Sequence, residues 1–218
     1  MNWSNNLAYC VGLITTDGNL SKDGRHISLT SKDWDQVINF LNALQKKCRI
    51  GQKSSSYGKQ ARYYVAQFSD KVLYLFLLSI GLHPNKTKTL KSLLVPDKYF
   101  ADFLRGHLDG DGFTYSYWDK RWKSSFMLYT GFTSASHEHL VWIQDTVSRL
   151  YGIKGTIKYA GKSTYQLIFA KRSSLILLNK IYHRKDIIYL KRKRFKIEQS
   201  LSIIQKQAGM LKLADRHA

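Results

Sequence analysis

The chain has 218 residues, 44% of them hydrophobic, enough to bury a core as one domain or as two small halves. Lysine and arginine outnumber aspartate and glutamate by 35 to 15, and the resulting formal charge of +20 repels itself unless a polyanion is the working partner. Nucleic acid is therefore the leading partner and an anionic membrane surface the rival; no run approaches membrane-spanning length, and the two cysteines, Cys10 and Cys48, exclude a disulfide framework and a cysteine zinc site.

The opening "MNWSNNLAYCVG" lacks the basic region and cleavage site of a signal peptide, so a soluble intracellular chain is expected, in cytoplasm, nucleoid or organelle. Its apolar run reads as a buried helix that ends in "GLITTDGN", Gly12 to Asn19. Gly is favoured just past a helix end. A carboxylate is not, because the helix dipole there is already negative and a buried ionised acid needs a partner. Asp17 is thus the first residue that asks for a function.

Next come a strand ending in Thr-Ser and an amphipathic helix, "SLTSKDWDQVINFLNAL" (28–44), then a hairpin around Gly58 and Lys59 in "CRIGQKSSSYGKQARYYVAQFS" (48–69). A second helix, "DKVLYLFLLSIGL" (70–82), leads to the lysine-rich "PNKTKTLK". Pro96 in "LLVPDKYF" ends this first series and leads into a second apolar helix.

That second helix ends "FLRGHLDGDGFT" (103–114) and repeats the opening. Placing Gly106 on Gly12 puts Leu108 on Ile14, Asp111 on Asp17 and Gly112 on Gly18. The series then recurs in order: strand and helix in "GFTSASHEHLVWIQDTV" (131–147), a hairpin around Gly161 and Lys162, the helix "RSSLILLNKIY" (172–182), and the basic "YLKRKRFK". Six features in the same order indicate a tandem duplication. Two halves are expected, 1–95 and 96–218, packed as one pseudosymmetric unit. No Gly/Ser-rich linker separates them. His107, His137 and His139 lack cysteine companions, and His-x-His in a polar stretch reads as surface rather than as zinc ligands.

Two motif helices, each apolar almost all round, bury themselves best against each other. Gly12 and Gly106 permit close backbone approach. Ala8 adds a small position whose counterpart is Asp102, so the stripe is imperfect. Side by side about a pseudo-twofold axis, the helices bring Asp17 to Asp111, two negative helix ends and backbone carbonyls to one point. Such a point demands cations, and Mg²⁺ suits carboxylates plus substrate phosphate oxygens.

With "VGLITTDG" (11–18) and "LRGHLDGDG" (104–112), the chain resembles the LAGLIDADG homing endonucleases in their two-motif, single-chain form. The duplicated plan extends the resemblance over nearly the whole sequence. It implies an α+β fold of tandem αββαββα repeats whose two antiparallel sheets form a DNA-binding saddle, acting as a monomer on double-stranded DNA. It also implies an intron-borne, site-specific endonuclease that recognises a long asymmetric site and makes a metal-dependent double-strand break with cohesive 3′ overhangs. Mg²⁺ is the expected ion, with Mn²⁺ or Ca²⁺ able to occupy the site. The last acid of each signature is the catalytic metal ligand, which gives Asp17 and Asp111. The earlier acidic position holds Asp109 in one motif and Thr15 in the other, a departure that argues against a catalytic role for Asp109 but not for the two principal acids.

The same resemblance calls for a basic residue near each centre, in the segment after the second helix of each half. The sequence offers Lys86 and Lys88, and Lys191 and Lys193; Lys86 and Lys193 are the choice here, to stabilise developing charge or orient water. Ser31 and Ser134 fall where relatives often carry a water-holding glutamine, and are candidates for positioning water. Antiparallel ribbons fit the major groove and present alternate side chains to it. Candidate DNA contacts are Lys22, Arg25, Lys53, Lys59, Arg62, Arg121, Lys123, Lys158 and Lys162, interleaved with Tyr57, Tyr63, Tyr115 and Tyr117.

Three alternatives share the scaffold. An intron RNA maturase is the runner-up, with intron RNA as partner; survival of both acids favours the nuclease. A transcriptional regulator with an added helix-turn-helix domain is disfavoured because "KIEQSLSIIQKQAGMLKLADRHA" is too short for one. An intein-lodged nuclease is disfavoured because protein-splicing blocks are absent.

Overall fold

The structure is a computed structural model. It describes the backbone of residues 1–55, 58–122 and 125–214, and their side chains except for 55–62 and those from 208 onward.

The first half runs α1 (Asn5–Thr16), β1 (Gly18–Leu20), β2 (His26–Ser31), α2 (Trp34–Ala43), β3 (Ile50–Ser55), β4 (Gly58–Ser69) and α3 (Lys71–Ser79). The second repeats the order as α4 (Phe100–Asp109), β5 (Phe113–Trp118), β6 (Phe126–Ser134), α5 (His137–Tyr151), β7 (Thr156–Gly161), β8 (Thr164–Phe169) and α6 (Lys171–Ile181). A further helix, α7 (Lys191–Ala214), follows. The expected α+β plan of paired αββαββα units is present. Each half has one four-stranded antiparallel sheet, ordered β1-β2-β4-β3 and β5-β6-β8-β7.

Local signals set the helix ends. Ser4 Oγ accepts the Leu7 N–H at 3.1 Å to cap α1, and Asp70 Oδ1 accepts that of Leu73 at 2.9 Å to cap α3. Gly152, with φ of +66°, terminates α5 in the left-handed conformation that glycine adopts without strain. The second-half hairpin turns on Lys162 and Ser163, both left-handed, one residue later than the sequence suggested.

The two sheets bury one face each. In β2, Ile27 and Leu29 are fully buried beside Phe68 and Ala66 of β4; in β6, Leu128 and Phe132 are buried beside the helices with Leu167 and Phe169 of β8. One continuous core joins the halves through α1 and α4, where Ala8, Leu13, Phe103 and Leu104 are inaccessible to solvent. The leucine and phenylalanine side chains among them each contribute about 1.5–3 kcal/mol by leaving water.

The glycine contact is as tight as the sequence suggested. A Cβ built on Gly106 would lie 2.9 Å from the Tyr9 carbonyl carbon and 3.1 Å from Gly12 Cα, so only glycine permits this backbone approach.

The expectation of two apolar helices holds for α1 and fails for α4, where Asp102, Arg105, His107 and Asp109 are all buried. Asp102 and Arg105 pair with each other. Arg105 Nη1 meets Asp102 Oδ1 at 2.7 Å, its Nε donates to Ile188 O at 2.7 Å, and Asn5 Nδ2 donates to Asp102 Oδ2 at 2.7 Å. The polar side of α4 thus ties down the start of α1 and the 182–190 connection, which apolar packing alone would not orient. Among the described residues no helix is long and apolar enough to cross a membrane.

Candidate active site

Asp17 caps the C-terminus of α1 with φ −93° and ψ −5°, its N–H donating to Leu13 O at 2.9 Å. In α4 the helix stops at Asp109, and Gly110 carries the chain to Asp111. The two ends touch. A Cβ built on Gly110 would lie 3.2 Å from Asp17 Oδ2, so the Asp17 carboxylate rests against the turn that bears Asp111.

Electrostatics follow from that proximity. Burial first, and the charge of Asp111 second, raise the Asp17 carboxyl to about 6. A hydrogen bond from Gln36 Nε2 at 3.0 Å, and the cations Lys193 and Lys86, pull the other way. Burial also raises the Asp111 carboxyl, against the pull of Lys193 and Lys86. Among the described residues it accepts no hydrogen bond. Two neighbouring acids resisting ionisation form a site that a hard cation would relieve, and the donor set fits Mg²⁺ held by two carboxylates with phosphate oxygens completing its shell.

Lys86, on a single 3₁₀ turn at Lys86–Lys88, is buried and donates to Gly18 O. Lys193, in the first turn of α7, donates to Leu108 O at 2.7 Å, Gly110 O at 2.6 Å and Gly112 O at 2.7 Å. Gly18 and Gly112 are equivalent in the repeat, so the two amines occupy related positions. Both pKa values fall to about 8, lowered by desolvation and held up by the surrounding acids. The carbonyls that the sequence offered to a metal are thus engaged by lysine, because an ammonium satisfies the orphan carbonyls of a helix end. Lys88 and Lys191 are exposed.

Asp109 is coupled to this centre through the charge of Lys193 and is otherwise engaged in the fold. Its Oδ2 accepts from Tyr9 Oη at 2.8 Å and from Leu190 N at 2.8 Å, joining α1, α4 and the entry to α7. Burial raises its pKa to about 6. Its counterpart Thr15 donates to Val11 O at 2.7 Å, within its own helix.

Ser31 is buried and donates to Gln36 Oε1 at 3.3 Å, so it reaches Asp17 through a glutamine side chain. Sequence reasoning missed Gln36. The signal was available: it lies four residues before Phe40 on the core-facing stripe of α2, where a polar side chain needs a partner. Ser134 accepts from Ser136 N at 3.1 Å and lines a small cavity of about 50 Å³ with Thr16, Lys86, Asp111 and Thr133. Lys86 of the first half therefore faces Asp111 of the second.

Of the candidate DNA contacts, Lys22, Arg25, Lys53, Arg121, Lys158 and Lys162 are exposed. Lys53 pairs in register with Tyr63 and Lys158 with Gln166, positions on the faces turned away from the helices. Arg121 forks onto Asp119 at 2.9 and 3.1 Å. The side chains of Lys59 and Arg62, and all of Tyr57 and Lys123, lie outside the described residues.

The homing endonuclease I-WcaI bound to its DNA recognition sequence superimposes with a TM-score of 0.62, at 12% identity over 90% of this chain and 87% of that one. The fold is that of the LAGLIDADG homing endonucleases. I-DmoI in complex with DNA and Mn matches with a TM-score of 0.56 and 18% identity, over 84% of this chain and 99% of that one. Full-length DUF199/WhiA from Thermatoga maritima matches with a TM-score of 0.57 and 16% identity, over 92% of this chain and 68% of that one. No family model matches the sequence, and no curated protein matches it.

Proposed function

We propose that this chain is a site-specific DNA endonuclease of the homing type, monomeric and intron-borne. Its half-domains, 1–95 and 96–218, together straddle one long asymmetric duplex site and break both strands to leave cohesive 3′ overhangs. The observation that carries the reading is the meeting of Asp17 and Asp111 at adjoining helix ends, flanked by two largely buried lysines. The solved neighbours I-WcaI and I-DmoI, which are homing endonucleases in complex with DNA, support it. WhiA shares the fold, so the fold alone does not supply the activity.

Asp17 and Asp111 would hold Mg²⁺ or Mn²⁺, which supplies charge neutralisation at phosphorus and lowers the cost of forming a nucleophile from water. The chain's own part is positional. Gln36 fixes the orientation of Asp17; Lys86 and Lys193 bring positive charge to the place where charge develops on the phosphate. One acid from each half gives each strand a ligand of its own.

The test uses DNA carrying the intronless insertion site. Cutting is expected with Mg²⁺ and not in chelator, and Asp17→Asn or Asp111→Asn should lower it by at least about a hundredfold while leaving duplex binding within a factor of about two. Full cutting by both single variants would overturn the assignment. Tight binding to intron RNA with no cutting of any duplex would support the maturase reading instead.

A further inference from the structure

Alternate residues along a strand share a face. In the second half Phe126, Leu128 and Phe132 of β6 are buried against the helices, and Ser116 Oγ of β5 meets Ser200 Oγ of α7 at 3.0 Å. The residues between them, Tyr115, Tyr117 and Tyr129, therefore stand on the helix-free face. There the register sets Tyr115 opposite Tyr129, with ring centroids 4.9 Å apart and planes 13° from parallel. Tyr117 lies 6.2 Å from Tyr129, and Phe113 lies 6.0 Å from Tyr115.

Rings stacked on one another along a sheet spend their faces on their neighbours and turn edges and hydroxyls outward. An unpaired base in single-stranded nucleic acid needs an open ring face to stack on. A duplex major groove offers edges instead.

The first half carries different chemistry at the same places. The facing pair Phe113 and Gly131 corresponds to Asn19 and Ser28, and Ile168, beside Gly131, corresponds to Gln67, beside Ser28. His26, at the position of Tyr129, is bonded to Asp23. Around these positions one sheet presents amide, hydroxyl and imidazole groups, with Lys53 and Tyr63 further along the same face, and the other presents tyrosine edges and hydroxyls with Ile168, with Lys158 and Gln166 further along. Among base pairs, the 5-methyl of thymine is the apolar group shown in the major groove.

We propose that the second-half sheet reads thymine methyl groups in its half of the DNA site through the ladder of Tyr115, Tyr117 and Tyr129, while the first-half sheet reads polar base edges. This rests on the DNA-binding reading above. Duplexes are selected from a random pool by the full chain at fixed salt with Ca²⁺. If no duplex is enriched, the parent reading fails and this one with it. If a site is enriched, thymidines are replaced by deoxyuridine one half-site at a time, which removes the methyl and keeps every hydrogen-bonding group.

The expected result is a loss of about tenfold in affinity for one half-site, with a change of less than about twofold for the other, since each buried methyl contributes a factor of about four. Tyr115→Ser with Tyr117→Ser, both at exposed positions, should make that same half-site indifferent to the replacement. Three results overturn the proposal: neither half responds, the responsive half keeps its response in the tyrosine variant, or single-stranded RNA outcompetes the selected duplex.

Discussion

Asp17 sits where a bare carboxylate costs stability, a cost that the proposed metal would relieve. Unfolded, the acid loses its proton near pH 4; folded, it keeps it to about 6, because of burial first and Asp111 second. Between those values the folded state binds more protons than the unfolded one, so stability falls as pH rises through that window, and the penalty is complete above it. Asp17→Asn removes the titration and retains an oxygen that can accept from Gln36. The variant is expected to be more stable than the parent by about 1 kcal/mol at pH 8, discounted for the part of the carboxyl that water reaches, and equal to it near pH 4. Urea unfolding without divalent ions measures both. Added Mg²⁺ should then stabilise the parent and not the variant. An equal effect of Mg²⁺ on the two would remove Asp17 from the site. The acids themselves were legible in the sequence because they recur at matching places. Gln36 was legible only from its place on the buried stripe of α2, because its second-half counterpart is His139, which bonds Lys91 O at 2.8 Å instead of an acid, so no repeat pointed to it.

Between elements, the placement of both acids depends on how closely α1 and α4 approach. Gly106 has Tyr9 backbone against it, and backbone cannot swing aside as a side chain does. Gly106→Ala is expected to destabilise the protein by about 3 kcal/mol, at the upper end of overpacking, and to depress cutting beyond what the lost folded fraction explains. Gly51→Ala in β3 is the control, because a Cβ there meets only Val65 O at 3.9 Å, and it should stay within about 0.5 kcal/mol of the parent. Denaturation midpoints of the two variants separate a helix contact from a generic glycine effect. Equal midpoints would mean that the helices can slide apart. This contact was readable in the sequence from two glycines in register. The polar side of α4 was not, since Asp102 and Arg105 satisfy each other only once the helix has formed, a relation that an apolar pattern does not encode. Helix α7 was also missed, although Ile197, Leu201 and Ile204 recur at helical spacing, because it has no partner in the first half and the repeat ended before it.

At the scale of the whole molecule the excess of 35 basic over 15 acidic residues is arranged in two ways. Some cations are locked internally: Arg105 on Asp102, and Lys193 on three carbonyls. The buried Arg105–Asp102 pair is the one least screened by salt. Others are exposed on strands and hairpin turns, among them Lys22, Lys53, Lys158 and Lys162. If this second set meets phosphates, each contact releases counterions, and affinity for duplex DNA should fall by at least about a thousandfold between 50 and 200 mM salt when six or more are made. Replacing Lys53 or Lys158 by alanine should lower the slope of log affinity against log salt by about one unit each. Lys180→Ala, on the exposed side of α6, should leave it unchanged. Fluorescence anisotropy across a salt series reads all three. A slope that Lys180→Ala reduces as much as Lys53→Ala would mean that the charge works as a diffuse cloud. A slope lowered only by the strand residues would mean that DNA lies along the helix-free faces of the sheets, within reach of the two acids.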